Sequence, residues 1–513
     1  MVADIPVCAD QEAVVAALAC GAAVGESQPL RRIDTHMSHV FLARDRVYKL
    51  KRAVDHPFVD LSSLAARRTA CEAELSVNQA LAPDLYLGLQ PVVRGPGGDL
   101  RIGGPGEAVD WVVVMRRFPD RALFDEIAAD GALTADRLIE AADAVSRFHA
   151  QSPPRIDMGR AADYRRIIEG LRRTEAAGAA ALGMSPGSAS LFDSLDRDLA
   201  RHAPLIEARR EAGWTRRGHG DLHLRNICLF DDRVMLFDAL EFDPALATTD
   251  VIYDIAFLLM DLRARGLDDL ANVTMNRYWD AARQPEAALA LLPLFMALRA
   301  AVRMAISVEA GDLDQAGRYR RLGLDILGAG PPLLVAVGGL SGTGKSTLAK
   351  AVAAALPGPC GARILRSDVI RKALAGAAAG EALPPDAYTA AARARIYRAM
   401  AGRAEAALRS GASVIADATF REPSARGDIE PAAGEHRFQG LWLRAAAPVR
   451  AQRIGARVGD ESDITAAGAL DQAEPGDPGA QWRIVDADRP ITDLAAEVEA
   501  AVSHAGKAAH RAS

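Results

Sequence analysis

Two short stretches of the sequence hold residues whose types and spacing suit phosphate chemistry. The first is LLVAVGGLSGTGKST, from Leu333 to Thr347. An apolar run enters a glycine-rich turn, and the turn opens an alanine-rich helix, so that Gly339 precedes Gly344-Lys345-Ser346 at the spacing G-x-x-x-x-G-K-[ST]. Glycines let backbone N–H groups turn inward around phosphate oxygens, and the helix that follows points its positive end at the same anion. On this spacing Gly339, Ser341, Gly342, Thr343, Gly344 and Thr347 surround the phosphates, Lys345 reaches the β- and γ-phosphates, and the Ser346 hydroxyl ligates Mg²⁺. ATP and Mg²⁺ are therefore the expected cofactors. The second stretch is HGDLHLRNICLF, followed by the turn DDR and by VMLFDALEFD. Asp221 and Asn226 lie five positions apart, and Asp238 ends the next extended segment. A carboxylate facing a nucleophile, with a second carboxylate and an amide oxygen as hard ligands for Mg²⁺, is a set suited to phosphoryl transfer. Helix-capping aspartates in a polar turn would use the same residue types without requiring the whole H-G-D-x-x-x-x-N pattern and the hairpin after it.

From His219 to Asp238, and more weakly over residues 30 to 325, the sequence resembles the aminoglycoside phosphotransferase and choline kinase family, which shares the protein-kinase-like fold. The resemblance implies that Asp221 is the catalytic base, and that Asn226 and Asp238 hold Mg²⁺ on the ATP phosphates. The nucleotide-anchoring lysine then belongs on the third strand, in VYKLKR. Lys49 and Lys51 point to one face by period-two alternation, and the sequence does not choose between them. Lys49 is favoured because it follows the apolar core of the strand most closely. Its ion-pair partner is Glu72 or Glu74, with Glu74 favoured for sharing a helical face with Asn78 and Leu81. The loop THMSH lacks the G-x-G-x-x-G signature, and WVVVMRRF is expected to carry the adenine around Met115 to Phe118. Asp254 is expected to brace this lobe. Glu241 and Asp243 either face the substrate, favouring a cationic or polyhydroxyl one, or form a solvated acidic loop.

Residues 333 to 505 resemble small-molecule P-loop kinases of the gluconate, shikimate and adenylylsulfate type, and the related zeta-toxin kinases. The motifs are the P-loop, then RSDVIRK, SVIADATF and PVRAQRIGARVGDESD. The resemblance implies that Asp368 and Arg371 contact or activate the acceptor, and that Asp417 stands near Mg²⁺. It places Arg453 and Arg457 in a closing lid that neutralises charge on the transferred phosphoryl. Arg450, Arg453 and Arg457 are three and four positions apart, so they share one helical face. The bland alternatives are a solvated basic stripe, and a helix N-cap at Asp368.

The elements that must position these residues divide the chain. A small strand-rich lobe covers about 1–118, and long helices dominate about 119–330. The junction Gly328-Ala329-Gly330-Pro331-Pro332 reads as a boundary. Residues 331–513 alternate strand and helix, which implies a parallel sheet covered on both faces, with strand order 2-3-1-4-5 by the resemblance. The expected fold is an α+β two-lobed protein-kinase-like domain over 1–330, followed by an α/β P-loop NTPase domain over 331–513.

At 513 residues the chain exceeds one core. With 50% hydrophobic and 25% charged residues it reads as a soluble globular protein. Its formal charge of -6 gives no whole-protein basic field for nucleic acid. The five cysteines are scattered with no C-x-x-C pair, which favours a reducing cytoplasm over a disulfide framework. The N-terminal residues lack the basic region of a signal peptide, and no uninterrupted apolar run reaches membrane-span length, so no membrane association is expected. The expected function is bifunctional transfer of phosphoryl groups from ATP to small-molecule hydroxyl substrates. The competing expectation makes one module a nucleotide-binding regulator or plain ATPase. The acceptors and the oligomeric state are not readable from the sequence.

Overall fold

The computed structural model describes residues 11–35, 37–56, 59–181, 189–241, 243–377, 381–455 and 476–509. The chain forms two compact units, Met1–Asp261 with Leu298–Arg321, and Leu262–Ala297 with Leu322–Ser513.

The first unit contains a six-stranded antiparallel sheet. Its strand Arg46–Lys51 lies between Ser38–Leu42 and Glu107–Arg116. Alternation sends Tyr48 and Leu50 into a core with Val14, Leu18, Phe41, Val112 and Val114. Val47 faces the other way, toward Cys71, Tyr86, Val113 and Met115, so Lys49 and Lys51 project from that same face. The helix Leu64–Leu81 supplies Cys71, and Ser63 caps it by accepting from the Ala66 N–H at 3.1 Å. Its buried residues are Arg67, Cys71, Glu74 and Asn78, a single stripe that carries three polar side chains. Burying such groups is costly unless each has a partner, so this face is built to meet other polar groups. Beyond it come the helices Ala135–Gln151, Ala161–Ala181 and Ala189–Glu211, then the hairpin Ile227–Phe230 with Arg233–Leu236. Asp231 and Asp232 both take positive φ at the hairpin tip, as a tight two-residue turn requires.

The second unit contains a five-stranded parallel sheet built from Leu333–Gly339, Arg363–Arg366, Val414–Asp417, Arg437–Arg444 and Trp482–Asp486. Counted in chain order, its strands run 2-3-1-4-5 across the sheet, as expected. Strand 1, Leu333–Gly339, is buried along its whole length, as the central strand of a sheet covered on both faces must be.

The sequence places 262–297 in the helical lobe, but this segment belongs to the second unit. The reason is charge burial at the start of strand 2. Arg363 has no exposed surface. It pairs with Asp280, with Glu286 at 3.1 Å, and with the Asn276 amide oxygen at 3.0 Å. Asn272 donates to the carbonyls of Cys360 and Ala362 at 2.7 and 2.9 Å. These partners all lie within 262–297, so this segment compensates a charge in the sheet.

Among the described residues one helical stretch, Glu286–Glu309, is long and apolar enough to cross a membrane, and 72% of its apolar window is buried inside the protein. Glu286→Ala should destabilise the second unit by about 3 kcal/mol, because it removes a buried partner of a fully buried cation. Asp280→Ala should cost less, since that carboxylate is 22% exposed and Glu286 remains. Hydrogen exchange of the five strands in the full chain measures both; equal effects would contradict this ranking.

Candidate active sites

In the first unit, Glu74 sits between two lysines. Lys49 Nζ lies 2.8 Å from Glu74 Oε1 and 2.5 Å from Asp238 Oδ1. Lys51 Nζ lies 2.6 Å from Glu74 Oε2 and also pairs with Glu241. The open choice between the lysines thus has a double outcome. Both hold Glu74, and Lys49 is the one that reaches Asp238. Glu72 instead pairs with Arg68 on the exposed surface. Burial would raise the Glu74 carboxyl, but the ammoniums of Lys49 and Lys51 outweigh it and hold the group down to about 2. Burial would lower both ammoniums, and the surrounding carboxylates outweigh it and raise them.

Asp221 and Asn226 come together as the spacing suggests. Asn226 Nδ2 donates to Asp221 Oδ2 at 3.0 Å and to the Asp221 carbonyl at 2.9 Å. Its amide nitrogen is thereby committed, and the amide oxygen is the end suited to a cation. Burial would raise the Asp221 carboxyl, but the neighbouring His223 ring, together with His219 and Arg299, outweighs it and lowers it to about 2. The Asp221 and Asp238 side chains are each 42% exposed, unlike Glu74 at 0%, so these two can meet a ligand. Asp238 has φ of +60°, and its N–H donates to the Tyr86 hydroxyl at 3.2 Å.

The loop that presents Asp221 is held from below by Asp254. Its two oxygens accept from the His219 and Gly220 N–H groups at 2.8 Å each, and His149 Nε2 lies 3.0 Å away. Burial would raise this carboxyl, but His149 and its other neighbours hold it well below the usual range. Gly220 turns at φ +83°, where an added Cβ would meet Leu240 Cβ at 2.8 Å. Arg299 lies over the Tyr253 ring at 3.8 Å and donates to the Gly220 carbonyl at 3.2 Å. Asp254 thus braces the loop as expected. Glu241 and Asp243 depart from the substrate-facing expectation. Glu241 pairs with Lys51, and Asp243 Oδ1 caps the short helix Pro244–Ala247 at the Ala245 N–H, 2.8 Å away.

In the second unit Gly339 ends strand 1, and the P-loop residues Ser341, Gly342, Thr343 and Gly344 lie between it and the helix Lys345–Ala353, which contains Ser346 and Thr347. Gly342 turns at φ +85°, and a Cβ there would stand 2.6 Å from the Arg450 carbonyl oxygen. Thr343 Oγ1 and Lys345 Nζ both donate to the Leu340 carbonyl, at 2.8 and 2.9 Å. Ser346 Oγ donates to Asp417 Oδ2 at 2.6 Å, so the two predicted Mg²⁺ ligands are in contact. Burial raises the Asp417 carboxyl, offset only in part by Lys345 and Ser346. An oxygen pair beside a lysine and below a helix N-terminus fits a Mg²⁺-bound phosphate.

Next to this pair opens a cavity of about 650 Å³. Asp368, Arg371, Arg393 and Arg421 line it, with Tyr388 and Tyr397. Arg371 pairs with Asp368 and lies 5.1 Å from the Tyr388 ring centre. Arg453, on the helix Ala447–Gly455, approaches the Thr343 carbonyl at 3.5 Å and donates to the Ala487 carbonyl at 2.9 Å. Arg457 lies outside the described residues. The sequence reading missed Arg393, Arg421, Tyr388, Tyr397, His149, His223 and Arg299. His223 stands inside HGDLHLRN at a position the pattern leaves unspecified, and the others stand in no motif and come to the sites by tertiary proximity.

A family model described as an AAA domain matches residues 334–474. The uncharacterized protein Rv2004c of Mycobacterium tuberculosis is 31% identical over 453 residues, covering 84% of this chain and 87% of that protein. A gluconokinase from Sinorhizobium meliloti 1021 is 23% identical and covers 36% of this chain and 99% of its own, with a TM-score of 0.27. A choline kinase from Cryptosporidium parvum Iowa II is 12% identical and covers 58% of this chain and 88% of its own, with a TM-score of 0.38. The two-lobed kinase-like and P-loop folds are identified by the strand orders and site geometry described above.

Asp254→Asn should cost about 2 kcal/mol, because an amide donor would then face backbone donors across a buried contact. Hydrogen exchange should show lost protection at His219 and Gly220 with the six-stranded sheet intact. Unchanged protection there would mean that Asp254 does not hold the loop.

Proposed function

The chain belongs to the same family as the mycobacterial protein Rv2004c, and we propose that it is a bifunctional ATP-dependent phosphotransferase of the cytoplasm. Each unit would move the γ-phosphoryl of ATP to a hydroxyl of a small polar molecule. The observation that carries this reading is that each unit joins a lysine to oxygen ligands suited to Mg²⁺. These are Lys49 with Asp238 near Asn226 and Asp221, and Lys345 beside Ser346 and Asp417.

In the first unit Lys49, aimed by Glu74, would hold the nucleotide phosphates. Asp221, ionised at neutral pH, would orient the acceptor hydroxyl and take its proton. The hydroxyl oxygen forms a bond to the γ-phosphorus as the bond to the β–γ bridging oxygen breaks, leaving ADP. In the second unit the P-loop amides and Lys345 would hold the phosphates, Arg453 and Arg457 would face the transferred group, and Asp368 with Arg371 would position the acceptor. Mg²⁺, held by Asn226 and Asp238 in one unit and by Ser346 and Asp417 in the other, would offset phosphate charge during transfer. The arginines of the second cavity favour an acceptor with an anionic group. Arg371 Nε is buried and makes no hydrogen bond among the described residues, leaving a donor for such a group.

Binding of a non-hydrolysable ATP analogue with Mg²⁺ should reach two equivalents per chain, and Lys345→Ala should lose one. One equivalent in the parent, or loss of both, would contradict a separate site in each unit. Asp221→Asn should retain binding at the first site. Its turnover, followed by phosphoryl transfer from labelled ATP to a metabolite panel, should fall by about two to four orders of magnitude. Product spectra unchanged by both Asp221→Asn and Lys345→Ala would refute transferase activity at these sites.

A further inference from the structure

The kinase-like site needs one lysine on its third strand, yet the first unit has two on a single carboxylate. Lys51 is 2% exposed and Glu74 is 0% exposed. Lys51 touches Glu74 through an ion pair at 2.6 Å on the oxygen that Lys49 does not use. Its other contact is Glu241, three residues beyond Asp238. The contacts close a ring: Asp238, Lys49, Glu74, Lys51, Glu241 and back along the chain. The segment between Asp238 and Glu241 is fixed at each intervening residue. Ala239 N–H donates to Asn78 Oδ1 at 2.8 Å, and Leu240 N–H donates to the His219 carbonyl at 2.8 Å.

We propose that Lys51 is a positioning residue that shares Glu74 with Lys49, so that Lys49 can turn toward phosphate while Glu74 stays in place. This rests on the reading of the first unit as a Mg²⁺·ATP site. An ammonium has three N–H donors, and Lys49 directs contacts to Glu74 and Asp238. A nucleotide draws Lys49 toward phosphate and Asp238 toward the cation. A fully buried carboxylate with Lys49 as its only cation would resist that shift, since it would lose its compensation. Lys51 supplies a second, permanent cation from the buried side. Glu241 ties that cation to the same segment as Asp238, so the aim of Lys49 and the place of Asp238 are set together.

The test uses the full chain carrying Lys345→Ala, so that calorimetry reads the first site with Mg²⁺·ATP. Adding Lys51→Met should weaken binding by about tenfold to a hundredfold, as loss of a buried charged partner does, and Lys51→Arg should restore most of it. A pH series separates positioning from mere stability. Glu74 faces Lys49 and Lys51 on the strand, Tyr86 two strands away in the same sheet, Cys71 on its own helix, and Asp238 and Glu241 beyond. Without Lys51, burial is less opposed and Glu74 takes up a proton at higher pH. The deficit of Lys51→Met relative to its parent should therefore widen as pH falls from 8 to about 5.5. A parent that binds no Mg²⁺·ATP overturns the reading of the site and the inference with it. A parent that binds, with Lys51→Met equally tight at every pH, overturns the inference alone. If Lys51→Met does not fold by circular dichroism, Glu241→Gln decides. A severalfold loss of affinity with the melting temperature retained supports the shared-carboxylate role, and unchanged affinity refutes it.

Discussion

Taking a charge out of water is tolerable only where an opposite charge meets it, and both units are arranged around charges in that condition. In the first unit Glu74 has no exposed surface and is met by Lys49 and Lys51 from the sheet. Asp254 is nearly as buried and is met by His149 and by two backbone N–H groups of the loop that carries Asp221. In the second unit Arg363 is fully buried and is met by Asp280 and Glu286 from a segment well before it in sequence. Each contact joins stretches that local preferences alone would not bring together. The sheet, the helix Leu64–Leu81 and the loop that carries Asp221 are in register because these charges would otherwise be stranded.

On the proposed reading, the two sites would solve phosphate binding by different means. The first relies on side chains, with Lys49 aimed by Glu74 and carboxylates at Asp221 and Asp238. The second relies on backbone, with a glycine turn against the Arg450 carbonyl and a helix N-terminus, and adds Lys345, Ser346 and Asp417. A backbone cradle needs particular glycines at particular spacings. A side-chain network needs only that charges meet in space.

That difference governs what was legible in the sequence. The P-loop, the meeting of Asp221 with Asn226 and of Ser346 with Asp417, the helix Leu64–Leu81 and the parallel strand order could be anticipated, because spacing, periodicity and family resemblance encode them. The choice between Lys49 and Lys51 could not be made, since period-two alternation places both on one face and only the partner across the fold separates them. Asp254 could be anticipated as a brace, but its partner His149 could not, because 105 positions separate them and no motif joins them. The segment 262–297 reads as more of the helical lobe because it is helical. Its allegiance depends on Asn276, Asp280 and Glu286, which look like ordinary surface residues until Arg363 is placed among them.

The same criterion decides which charges can choose a substrate. Glu241 is 10% exposed and held by the buried Lys51, and Asp243 is spent on a helix cap, so neither offers a ligand what the 42% exposed Asp238 does. On that ground Glu241 and Asp243 do not mark the first unit as a binder of cations, although they look suited to it in sequence. In the second unit the cavity is lined by Arg366, Arg371, Arg393 and Arg421 against Asp368, Asp417 and Glu422. Arg371 is paired with Asp368 yet keeps a buried N–H with no acceptor among the described residues, and Arg393 and Arg421 line the same space. Buried donors without acceptors are rare because they are costly, and this one belongs to a residue that lines the cavity. On the proposed reading, selectivity in the second unit would then lie in the arginines of the cavity, while the P-loop would supply phosphate binding of a general kind.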